Sequence, residues 1–285
     1  MKKLIIFSIL FALFLTGCTR QNTAQIAATT LPVYEFTAAL CEGTELQITR
    51  LVTENVSCLH DYTLQVDQMQ AVESAQVVIT NGAGLEDFLN DVIATANRVV
   101  DASEGIALSC GDHDSDEHHH DHDPHIWLSP KTAKTMCQNI ANQLSDIYPQ
   151  YKETFFTNLS ALHAKLDALQ LYGETELSGI TSRELITFHD GFAYFAESFD
   201  LHILKAVEEE SGSEASAKEL IELIDLVEQN QLSAIFTESN GSTAAAEIIA
   251  RETGAKVFTL DMAMAGDSYF TAMYHNIDTI KEALG

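Results

Sequence analysis

The stretch Gly111–Pro130, GDHDSDEHHHDHDPHIWLSP, holds six His and six Asp or Glu within twenty residues. Imidazole and carboxylate together form the donor set of borderline divalent cations such as zinc. A run with so little apolar surface packs no core and samples many coordination geometries. His113, His118, His119, His120 and His122 fall within this polar run. His125 differs, because it stands between Pro124 and the apolar Ile126, Trp127 and Leu128, a context that seats it in folded structure. This pattern predicts an auxiliary metal-collecting loop over residues 112–123 beside a structured metal site. The plain alternative is a solvated acidic insert.

Three histidines and one aspartate lie where a strand or turn hands over to a helix: His60 in SCLHDYTLQ, His125, His189 in ITFHDGFAYFA, and Asp261 in VFTLDMAMAGDSY. Open α/β sheets bind ligands near the carboxyl ends of their strands, so these four are read as equivalent positions, two in each half of the chain. Three imidazoles and one carboxylate suit tetrahedral zinc, whereas manganese takes more oxygen. Affinity should fall as pH drops through roughly 6.5, where free histidine protonates. Copper or nickel would also bind such a set tightly. His163, His202 and His275 fall inside helical or strand-like runs and are read as structural.

The elements that must position these residues alternate. Strand-like AQIAATT, LQITRLV, AQVVIT and RVVDAS are separated by helical stretches over Val33–Cys41, Leu64–Ser74 and Leu85–Ala96. Strands separated by helices imply parallel βαβ units. Two helices follow, Lys131–Ile147 and Pro149 to about Tyr172; the second is long enough to cross a whole domain. Alternation then resumes through ELITF, LHILKAV, LSAIFTE and AKVFTL to a closing helix near Ser268–Leu284. The expected fold is α/β, two similar lobes with parallel sheets and a long helix between them. The expected segments are a leader over 1–17, an N-terminal lobe over 18–130, a helical segment over 131–173 and a C-terminal lobe over 174–285.

Lys2 and Lys3 followed by the apolar run Leu4–Leu15 have the layout of an export signal, and the run is short for a membrane span. Leu15-Thr16-Gly17-Cys18 looks like a bacterial lipobox, which predicts cleavage before Cys18 and lipidation of its thiol. Cleavage would move the formal charge from −27 to −29, since residues 1–17 hold two lysines and no acid. That balance repels nucleic acid and attracts cations. Cys41, Cys58, Cys110 and Cys137 would remain, with three possible disulfide pairings and no CxxC to suggest a thiolate zinc site.

The lipobox, the His-rich loop ending in PHIWLSP, the run FHDGFAYFA, the long central helix, IFTE at Ile235–Glu238 and Leu260-Asp261 together resemble the zinc and manganese substrate-binding lipoproteins of bacterial ABC importers, the zinc members most of all. The resemblance spans nearly the whole chain after the leader. It implies two α/β lobes joined by one rigid helix, with Zn²⁺ clamped at the lobe interface by the residues at His60, His125, His189 and Asp261. It implies a monomer on the outer face of the cell membrane, held by lipid on Cys18, that delivers its metal to an ABC permease and its ATPase and does no chemistry itself. Two positions depart from the family pattern. A proline-rich PxxPH is replaced by VSCLHDY, which brings Cys58 and Asp61 beside His60, and Asp261 is followed by Met262 rather than proline. The fourth ligand is therefore open among Asp261, Glu238, Asp190 and water. Competing readings are a manganese or iron homologue, a surface metal buffer or adhesin in which the loop is the whole function, and a zinc hydrolase using His60-Asp61 or His189-Asp190. The hydrolase lacks support from any HExxH or GxSxG.

Overall fold

A computed structural model describes residues 24–54, 59, 62–109, 122–207, 215–239 and 241–285. In its N-terminal half, β1 (Ile26–Ala28), α1 (Leu31–Leu40), β2 (Ile48–Arg50), α2 (Val66–Ser74), β3 (Val77–Thr80), a one-turn α3 (Asn90–Ile93) and β4 (Val99–Asp101) follow in order. β1 and β3 are buried throughout, as a parallel strand covered on both faces must be. The four strands form a wholly parallel sheet in the order β2-β1-β3-β4.

The second half repeats the plan. β5 (Glu184–Thr187), α6 (Ala193–Ser198), β6 (His202–Ala206), α7 (Ala217–Gln229), β7 (Ala234–Glu238), α8 (Ala244–Thr253), β8 (Lys256–Leu260) and α9 (Tyr269–Leu284) form a second lobe. Its sheet is also parallel, in the order β6-β5-β7-β8. In each sheet the chain steps outward from the first strand and then crosses back, so a crevice opens at the carboxyl ends of β1 and β3, and of β5 and β7.

Between the lobes lie α4 (Pro130–Ile147) and α5 (Lys152–Glu176). α5 has 25 residues, about 38 Å at 1.5 Å per residue. It buries Phe155, Leu159, Leu162, Leu166, Leu169 and Gly173, a three-and-four spacing that keeps one stripe facing inward. The stripe packs on α4, on α1 of the first lobe and on α9 of the second. Gly173 admits the Phe199 ring, whose Cε1 would stand 2.2 Å from a Cβ at that position. One apolar core therefore runs from β1 through Trp127 and the α5 stripe to Phe195 and Tyr269. The outer face of each sheet has its own smaller cluster, with Val72 and Val78 in one and Val227 and Ile235 in the other.

Two sequence expectations need correction. The helix expected over Leu85–Ala96 is a 3-10 turn at Asp87–Leu89 followed by α3 alone. Glu86 turns its carboxylate back onto Asn81 and Gly82 and so ties the segment's start to the preceding turn. Cys41 and Cys137, counted among possible disulfide partners, are free buried thiols, and burial pushes both up, Cys41 to about 12. Cys58 and Cys110 lie outside the described residues, as do Cys18 and the apolar leader. Among the described residues no helix is long and apolar enough to cross a membrane.

Candidate metal centre

His125 arrives at the lobe interface at the end of a tightly held turn. Asp123 accepts from the His125 main-chain N–H at 2.9 Å and faces its Nδ1 at 2.7 Å, and both residues are buried. A carboxylate at Nδ1 fixes that nitrogen as the protonated one and leaves the Nε2 lone pair pointing away. The following Ile126–Leu128 turn is fully buried, and the Trp127 Nε1–H donates to the Met262 carbonyl at 2.7 Å in the opposite lobe. Tyr269 closes the same contact from the other side, donating to the Trp127 carbonyl at 2.8 Å.

The C-terminal lobe presents three groups from the ends of three strands. His189 follows β5, Glu238 ends β7, and Asp261 follows β8. Glu238 Oε2 lies 3.5 Å from His189 Nδ1, and no described residue donates a hydrogen bond to that buried oxygen. Burial pushes the Glu238 carboxyl up to about 7, and the nearby Asp261 charge adds to this. Asp261 is clasped at its main chain by Asn276, through bonds of 2.8 and 2.7 Å, and its Oδ1 accepts from Ala263 N–H at 2.7 Å. Gly191 makes room for the meeting of the rings. A Cβ there would stand 2.7 Å from Met262 Cε, 2.8 Å from His189 Cδ2 and 3.0 Å from His125 Cε1.

Across this gap His125 Nε2 and His189 Nε2 are 3.4 Å apart. Two imidazole nitrogens bound tetrahedrally to one zinc at about 2.0–2.1 Å are separated by about 3.3 Å. The far nitrogen of each ring has a carboxylate beside it, Asp123 for His125 and Glu238 for His189. The Asp123 contact is the arrangement that aims the His125 lone pair at a cation, and the Glu238 carboxylate stands 3.5 Å from the far nitrogen of His189.

The histidines His125 and His189 thus come together, and Glu238 and Asp261 lie on the same side of the cleft. Glu238, one of the alternatives weighed from sequence for the fourth ligand, lies with Oε2 beside the His189 Nδ1. The supposed equivalence of all four positions does not hold. His189 follows β5, which takes the place of β1 in its sheet, whereas His60 belongs to the segment after β2. His60, Asp61, His113, His118, His119 and His120 lie outside the described residues, and His122 is exposed. Among the described residues no group of three or more His, Cys, Asp or Glu is arranged to hold an ion. Asp123 was missed as a site residue because it closes a run of acids, although the spacing Asp-Pro-His was its signal. His163 bonds the Lys134 carbonyl through Nε2 at 3.0 Å, and His202 and His275 are exposed, in keeping with their structural reading.

Residues 26–283 match the family described as ZnuA, zinc-uptake complex component A, periplasmic. The chain belongs to this family. A zinc-binding lipoprotein, AdcA, of Streptococcus pneumoniae is 30% identical over 99% of this chain and 61% of its own length, so the chain spans about three fifths of that relative. A crystal structure of ZnuA superposes with a TM-score of 0.80 at 28% identity, covering 92% of this chain and all of that one. The zinc-bound ZnuA-like domain of Streptococcus pneumoniae AdcA superposes at 0.77 with 26% identity, covering 91% of this chain and 98% of that domain. These ZnuA-family relatives share the two parallel-sheet lobes.

Proposed function

We propose that the chain captures Zn²⁺ between its two lobes outside the cytoplasmic membrane and hands it to an ABC permease with its ATPase, anchored by lipid on Cys18. His125, His189 and His60 serve as the imidazole ligands and Asp261 as the carboxylate. The observation that carries this reading is the 3.4 Å separation of two Nε2 atoms from opposite lobes, each ring backed by a carboxylate. The zinc-bound pneumococcal domain, similar over nearly its full length, supports zinc as the cargo. Binding joins a ligand from each lobe, so release requires a partner that separates them. The histidines of 112–122 raise the local zinc concentration beside the site by proximity. The chain performs no catalysis in this reading.

The test is a zinc titration against a chromophoric chelator, with manganese as competitor, on the chain from Cys18 and on the same chain lacking residues 112–121. Asp123 must be kept, since it holds His125. One tight zinc site should survive the deletion while weaker sites vanish. Loss of all tight binding would favour a loop-based metal buffer instead.

A further inference from the structure

α6 begins four residues after His189, and two of its hydroxyls, one turn apart, reach the opposite lobe on either side of His125. Tyr194 Oη accepts from the Ser109 N–H at 2.9 Å and donates to the Asp123 carbonyl at 3.2 Å. Ser198 Oγ donates to Ser129 Oγ at 2.7 Å. The Asp123 N–H in turn donates to the Ser109 carbonyl at 3.0 Å. Both main-chain polar groups of Asp123 are thereby tied, one of them directly to the C-terminal lobe. Its side chain is held less completely. Oδ1 serves the His125 N–H and Nδ1, while Oδ2 is buried without a hydrogen-bond partner among the described residues. The carboxylate keeps its place under the imidazole because the main chain beneath it is pinned.

We infer that Tyr194 and Ser198 are positioning residues that set the His125 Nε2 to His189 Nε2 separation, and with it the preference of the site for a small tetrahedral ion. The inference rests on the reading of both histidines as ligands. One short helix fixes both rings, His189 through the chain that leads into it and His125 through two hydroxyl contacts. A 3.4 Å separation matches the tetrahedral angle at zinc bond lengths. Octahedral ions, with right angles between neighbouring ligands, need the nitrogens about 0.4 Å closer at the same bond length. A pinned His125 resists that closure, and a released one permits it.

The experiment compares the full chain from Cys18 with Tyr194→Phe, Ser198→Ala and the double variant. Tyr172→Phe is the control, since it removes a tyrosine hydroxyl bond of 2.6 Å to Asp278 on α9, away from the cleft. Zinc affinity, the zinc-to-manganese affinity ratio and the visible spectrum of the cobalt(II) form are read on each. The double variant should lose about ten- to a hundredfold in zinc affinity. Its zinc-to-manganese ratio should narrow, and its intense tetrahedral cobalt bands should weaken, while Tyr172→Phe behaves as the parent. Should the double variant fold poorly, the single variants carry the same expectation at smaller size. A parent that binds one zinc tightly, with variants unchanged in all three readouts, overturns the positioning role and leaves the metal reading intact. A fall in affinity with an unchanged ratio and unchanged cobalt spectrum overturns the selectivity role. A parent without a tight zinc site overturns the metal reading and the inference together.

Discussion

Among the described residues each lobe buries one glutamate beside the crevice where its strand order reverses, and the two are handled in opposite ways. Glu86, after β3, accepts from the Thr29 hydroxyl at 2.6 Å, the Asn81 N–H at 2.7 Å and the Gly82 N–H at 3.0 Å. Glu238, on the matching strand β7, has a buried oxygen without a donor among the described residues and lies beside His189. Burial pushes both carboxyls up to about 7. The same topology thus yields a self-satisfied clasp in one lobe and, in the other, a carboxylate beside a candidate ligand with a buried oxygen that no described residue serves. A buried polar atom left without a partner has an energetic cost, and a site that recovers the cost on binding explains its retention.

Removing a ligand should have the largest effect. His125→Ala or His189→Ala gives up about a quarter of a zinc site's ~10–16 kcal/mol, on the order of a hundred- to a thousandfold in zinc affinity by chelator competition. The glutamate contrast is tested next. Glu86→Ala leaves three donors without an acceptor and should cost roughly 3 kcal/mol in denaturant unfolding of the metal-free chain, with zinc affinity nearly unchanged. Glu238→Gln should do the reverse, lowering zinc affinity about tenfold without loss of stability. If both variants lose stability alike, the contrast between the lobes fails.

The pH dependence of Glu86 gives a finer test. Its folded pKa stands above that of the unfolded chain, so the folded state holds the extra proton between about 4.5 and 7. Its contribution to stability is full below that window and is lost as pH rises through about 7. Metal-free Glu86→Gln should therefore gain on the parent as pH rises from about 5 to 7, by up to about 1 kcal/mol per unit, and level off above that. A flat difference would refute the assignment. The smallest effect on zinc is expected for Trp127→Phe, which removes one hydrogen bond to Met262 and part of a fully buried indole, and should cost about 2–3 kcal/mol in stability but only a few-fold in zinc affinity.

Much of the fold was legible because its signals are local. The apolar run Ala75–Thr80 reads as a buried strand and Leu232–Glu238 as a strand, and the three-and-four spacing of Phe155 to Leu169 marks the long helix. The shortness of α3 is not legible because the apolar spacing outlasts the helical hydrogen bonds, and the Glu86 carboxylate that ties the segment's start to Asn81 and Gly82 is a contact no periodicity shows. His125 and His189 stood out by residue type at element boundaries. Their partners did not. Asp123 stands in an acidic run, Tyr194 lies within the run FHDGFAYFA without a role of its own, and Ser198 carries no motif, because their role depends on a contact between lobes some 70 residues apart in sequence. The place of Glu238 beside His189 Nδ1 follows only from three-dimensional geometry.

The central claim is that one zinc ion bridges histidines from opposite lobes. A crystal structure of the zinc-loaded chain from Cys18, with anomalous scattering recorded at the zinc edge, tests it most directly. The account predicts a single strong peak about 2.0–2.1 Å from Nε2 of both His125 and His189, with Asp123 and Glu238 on the far sides of the two rings. A zinc peak bound to only one of these histidines, or to residues 112–122 alone, would contradict it.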